Sequence, residues 1–172
     1  MTDESAERRA LAFDQKVLDS LSLTLDDLDD PDTRAFVIRA EHPDIDDALR
    51  AGRDMVEMEG MPVNARLHLT MHEVVGGQLW DNEPPETWET AQRLSERGYD
   101  RHEILHMLAS TMTHQIWTAL HEGEEPDPSR HVAALRALPG SWERERAARA
   151  AERRHAEAHR SARHRPKRRR TR

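Results

Sequence analysis

Two histidine pairs constrain this chain more than any other feature. His68 and His72 lie in LHLTMHE, and His102 and His106 lie in RHEILHM. Each pair is spaced i, i+4, which puts both rings on one face of a helix. On a helical wheel, His68 and His72 share a stripe with Met71, Val75 and Leu79, and His102 and His106 border Leu105, Ala109, Met112, Ile116 and Leu120. An imidazole on an apolar stripe is costly to bury unless its nitrogens find partners. Only one short helix and a turn separate the two stripes, so the helices are expected to be neighbours with four rings converging.

The punctuation of the chain supports a helical reading throughout. Residues 5–19 have helical periodicity and no breaker. Ser22 or Thr24 is placed to cap a short acidic helix in LTLDDLDD, and Pro31 reads as the first residue of the next. His42-Pro43 ends that segment, because the residue before a proline avoids the α region. A further helix begins at Pro43 and stops at Gly52. Asn64 is a good N-cap for a helix running to about residue 80, which Asp81-Asn82 breaks. Pro84-Pro85 starts another to Arg97, with Gly98 suited to its C′ position. Asp100 caps a long helix from Arg101 to about Glu122, closed by Gly123. A last core helix, PDPSRHVAALRAL, ends at Pro139-Gly140. No strand-like alternation or hairpin signal stands out, so the predicted class is all-α: a small helical bundle with a basic, partly helical or disordered tail. The expected organisation is an N-terminal helical segment over 1–40, a core helical domain with the paired histidines over 41–140, and the tail over 141–172.

Composition narrows the chemistry. The chain has no cysteine, which excludes disulfides, iron–sulfur clusters and thiol catalysis. Any metal must be held by His, Asp or Glu. The polar, acidic start carries no signal-peptide pattern, and no apolar run approaches the ~18 residues of a membrane helix. A soluble cytoplasmic protein with no membrane association is expected, and abundant Asp, Glu and Arg with little Lys inclines toward a bacterial source. The net charge of −7 hides a split. Residues 143–172 hold 13 Lys and Arg against 4 Asp and Glu, a net of +9; residues 1–142 hold 13 against 29, a net of −16. The basic tail suits nonspecific polyanion contact through phosphates. It equally suits folding against its own acidic body, or simple solubilisation. Without interleaved aromatics, base stacking is not expected of it.

His102–His106 spells H-E-x-x-H, the pattern in which two histidines bind zinc and Glu103 activates water. The extended motif is missing, since Ala109 and Met112 stand where its glycine and third histidine would fall. Glu103 also has a local explanation, because it occupies the N3 position of a capping box begun by Asp100. The coupling of the two pairs is the more specific signal. It predicts a divalent-metal site made by His68, His72, His102 and His106, with Glu73, Gln78 and Asp100 as supporting groups. Zinc or iron is the expected ion; all-nitrogen ligation favours zinc, and added carboxylates would suit iron or manganese. The competing reading is a polar core layer in which the rings hydrogen-bond to side chains, or one pair exposed at the surface. Three classes of function therefore stay open: a metal-binding helical protein, a metal-dependent hydrolase with Glu103 as general base, and a non-catalytic interaction protein acting through its tail.

Several of these residues also carry a family resemblance. EHPD at 41–44, NARLHLTMHEVVGGQL at 64–79, RL at 93–94, and DRHEILHML with a later QIW over 100–117 resemble the bacterial family called domain of unknown function 1841. That family has an Asn-x-x-Leu-His-x-x-x-His segment, a downstream Gln and a second Asp-x-His-Glu-x-x-His segment. Asn64, Leu67, His68, His72, Gln78, Asp100, His102, Glu103, His106 and Trp117 carry the match, which spans about residues 40–138. The resemblance implies a small helical domain and no particular activity. Gly76-Gly77 departs from what a helix prefers, at a cost of about 1 kcal/mol per glycine relative to alanine.

Overall fold

The computed structural model describes residues 3–58, 60–123, 125 and 127–163. The chain runs through α1 (Asp3–Ala12), α2 (Gln15–Leu21), a 3₁₀ turn (Leu25–Asp29), α3 (Pro31–Glu41), α4 (Pro43–Arg50), β1 (Met55–Met58) and β2 (Met61–Asn64). It continues through α5 (Ala65–Asp81), α6 (Pro85–Glu96), α7 (Arg101–Glu122), α8 (Pro128–Ala137) and α9 (Gly140–Arg163). The fold is a helical bundle, as the periodicity predicts, and most caps fall where expected. The Asn64 side chain accepts from the Leu67 N–H at 2.9 Å, and Asp100 accepts from the Glu103 N–H at 2.9 Å. Asn82 closes α5 in the left-handed conformation at φ 58°. The Arg8 guanidinium donates to the carbonyls of Leu79 and Trp80, which the end of that helix leaves without intrahelical donors.

Helix α5 is the hub. It packs against α1, α3, α4, α6 and α7, and its Leu69, Val75 and Leu79 are almost wholly buried. Gly76 lets α3 come close: a Cβ there would sit 3.4 Å from Ile38 Cδ1 and 3.5 Å from Phe13 Cζ. Helix α7 lies beside α5 and buries Ile104, Met107 and Leu108, and α6 and α8 complete its other side. One apolar core joins residues from Ala12 to Leu138.

Two expectations differ from the structure. The predicted helix over 5–19 is two helices, broken at Phe13 and Asp14. Phe13 is fully buried and meets Trp80 edge-on at 5.9 Å. Asp14 caps α2 by accepting from Lys16 N–H, and its own N–H donates to Glu41 Oε1 at 2.7 Å. A tertiary partner thus competes with the helical continuation. The second difference is a hairpin where no strand was expected. β1 and β2 pair antiparallel with Met55 opposite Asn64 and Met58 opposite Met61, and Gly60 at φ 76° serves the turn. Each strand has four residues, carries few β-branched side chains, and one contains Pro62. A ribbon that short leaves little periodicity to read. Its C-terminal strand runs directly into α5 and so fixes where that helix begins.

Among the described residues no helix is long and apolar enough to cross a membrane. The basic segment over 141–163 is helical as α9, while 164–172, which include the RPKRRRTR end expected to be disordered, lie outside the described residues. So do the side chains of Trp117 and His114.

Candidate metal centre

The two predicted pairs do converge, and a fifth histidine joins them. Helix α5 presents His68 and His72, whose ring centroids are 4.7 Å apart. Helix α7 presents His102 and His106, 4.2 Å apart. Across the helices His72 lies 5.1 Å from His106 and 5.7 Å from His102, and His68 lies 5.2 Å from His106. His42 enters from the junction of α3 and α4, 4.3 Å from His72, 5.0 Å from His68 and 5.8 Å from His102. Ligand atoms of His42, His68 and His72 all fall within 4.8 Å of one another. Sequence reasoning used His42 only as the end of a helix and as part of EHPD. His42 is the C-cap of α3 and precedes Pro43, and its ring lies 4.3 Å from that of His72 on α5. A histidine at such a joint, within a stretch resembling the family, was the available signal.

The nitrogens are arranged in a particular way. His42 Nδ1 lies 2.8 Å from the Ile38 carbonyl, which accepts only, so Nδ1 carries the proton and Nε2 presents a lone pair. The Nε2 atoms of His42, His68, His72 and His106 are all buried without a hydrogen-bond partner. Among the described residues, these four Nε2 atoms therefore do not satisfy one another. Burial drives every one of these four rings toward neutrality, and repulsion between neighbouring imidazoliums adds to it. His72 is pushed down to about 2, and His68 and His106 to about 4. His42 is lowered chiefly by burial, with the Ile38 carbonyl opposing. Neutral imidazole is the form that binds a metal. His102 differs in being exposed, at the mouth of the cluster.

The supporting groups fall differently from expectation. Gln78 belongs to another polar cluster: its Oε1 accepts from Thr87, and its Nε2 lies 3.2 Å from His131 Nε2, while His131 Nδ1 lies 3.3 Å from Thr111 Oγ1. No hydrogen bond joins Glu73 to a ring of the cluster, and Asp100 is occupied in capping α7. The group that orients a ring is the Ile38 carbonyl, a backbone atom that no residue pattern marks.

A cleft of about 460 Å³ opens beside the cluster. Its lining includes His68, His72, His102 and His106, with Glu103 at the rim. The Glu103 carboxylate faces Arg146 of α9 at 3.3 Å rather than turning back to the start of its own helix. The capping box is therefore half made, by Asp100 alone.

The model of the family described as domain of unknown function, DUF1841, matches residues 7–137. The match begins well upstream of residue 40, where the resemblance in sequence became visible. No curated protein and no solved structure matches the chain.

Proposed function

We propose that this chain, which belongs to the DUF1841 family, binds one divalent transition-metal ion through His42, His68 and His72. The observation that carries this reading is the meeting of His42, His68 and His72, whose ligand atoms lie within 4.8 Å of one another and whose Nε2 atoms are buried without a hydrogen-bond partner. A buried polar atom left without a hydrogen bond costs about 1–3 kcal/mol, and three in one place point to a shared missing partner. One cation would satisfy all of them. The donor set is all nitrogen, with no carboxylate in the closest triad, which favours zinc over the iron that mixed histidine–carboxylate sites select. His102 and His106, whose rings adjoin that of His72, are available as further donors.

The test is metal analysis of untagged protein that has never met a nickel column, followed by titration with zinc. One tightly bound ion per chain is expected. His42→Gln and His72→Gln should each weaken binding by more than the roughly 10–100-fold typical of losing an outer partner, and His131→Gln should leave it unchanged. Circular dichroism checks that the variants fold. Protein that carries no metal and takes up none on titration overturns the reading.

One observation favours a second reading, metal-dependent hydrolysis: Glu103 lines the same cleft as the histidines. In that reading Glu103 would leave Arg146 to act as the base. Glu103→Gln would then abolish turnover while metal content stays intact.

A further inference from the structure

The cleft beside the histidines has two unlike walls. One is apolar and comes from the hairpin and α5: Met58, Met61, Val63, Leu67 and Met71. Leu67 in that wall is 43% exposed, unusual for a side chain of its size. The other wall is α9, which contributes Trp142, Arg146, Arg149 and Arg153. The lining holds these three guanidinium groups, and Arg146 and Arg149 engage its two carboxylates, Glu103 and Glu145. Arg146 and Arg149 are 62% and 56% exposed and hold their carboxylates at 3.3 and 3.5 Å, loose surface pairs that a better acceptor can displace. An unmet donor belongs to the same residue set: Trp142 Nε1, a group that can only donate, is buried and has no hydrogen-bond partner. The whole of α9 falls beyond the family match, which ends at residue 137.

From this juxtaposition we infer that the cleft binds a small amphipathic oxyanion, an acid with an apolar chain, whose chain lies on the methionine and leucine wall and whose headgroup takes the Trp142 N–H and the α9 arginines. The inference rests on the metal reading, because an ion on the histidines adds positive charge beside the headgroup. The chain's own remaining residues do not fit the role: 164–172 contain no large apolar side chain and are strongly basic. Carboxylates and phosphate monoesters share the headgroup chemistry, and the probes separate them.

Calorimetry on the full-length, zinc-loaded chain uses octanoate and octyl phosphate, with octanol and acetate as controls. One of the two anions should bind about tenfold or more tightly than octanol, the scale of a charge-assisted hydrogen bond, and acetate should bind weakly for want of an apolar chain. Trp142→Phe keeps the ring and removes the N–H, and Arg146→Gln removes one charge. Each should weaken the preferred anion several-fold and leave zinc affinity unchanged. Octanol binding as well as the anions, neither anion binding to chain that holds zinc, or both variants binding like the parent would overturn the inference and leave the metal site standing. Failure of the chain to hold zinc is read separately, in the metal titration, and counts against the metal site itself.

Discussion

His42 ends α3, precedes Pro43, and brings its Nε2 to the rings of α5. The residue beside it has an equally definite task. Glu41, whose side chain is 6% exposed, accepts from Arg101 NH2 with both oxygens at 3.0 Å and from the Asp14 N–H. Arg101 also donates to the carbonyls of Leu11 and Ala12 at 2.9 Å. This pair ties the break between α1 and α2 to the end of α3 and the start of α7. Removing one partner of a buried pair strands the other charge, so Arg101→Met should cost about 3 kcal/mol, read as a lower denaturant midpoint at unchanged slope. At this scale the sequence was partly legible. The four histidines on α5 and α7 could be found because helical spacing is local. His42, Glu41 and the Ile38 carbonyl could not, because their roles depend on segments brought together only by folding.

Among the elements, α5 carries the most and shows the plainest tension between local and tertiary demands. Gly76 is buried against Ile38 and Phe13, where an added methyl would be in contact at 3.4 and 3.5 Å. Gly77, one residue on, has nothing within 4 Å of where its Cβ would lie. Gly77→Ala should therefore gain the helix propensity it lacks, raising stability by roughly 0.4–1 kcal/mol. Gly76→Ala should gain at least as much, because its methyl would be buried in ordinary van der Waals contact with Ile38 and Phe13. Thermal unfolding of both variants distinguishes the two positions. The glycine pair was visible in the sequence as an anomaly, and only packing separates the buried member from the open one. Helix limits were legible wherever a cap acts through its own neighbours, as at Asn64, Asp100 and Asn82. They were illegible at Phe13–Asp14, where Glu41 supplies the partner, and in the hairpin, whose strands are too short to show a period.

For the whole molecule, the cluster couples folding to acidity. In the unfolded chain, His68, His72 and His106 take up protons as the pH falls through 6.5. The folded chain keeps His68 and His106 neutral down to about 4 and His72 to about 2. The unfolded state thus binds more protons in that window, so the stability of the metal-free chain should fall steadily from pH 6.5 to 4 and change little on these groups' account above 6.5. Melting temperatures across that range check the sign. A bound ion steepens the fall, since protons and metal compete for the same nitrogens.

The meeting of His42 with His72 has a mechanical side as well. One residue sits at the joint of α3 and α4 and the other on α5, with α4, β1 and β2 looped between them. An ion gripping both would close that loop as a covalent staple does, in a chain that has no cysteine from which to build one. Such a tie is made and unmade by ion supply rather than by redox poise. How long the folded molecule survives against proteases would then track the metal available around it.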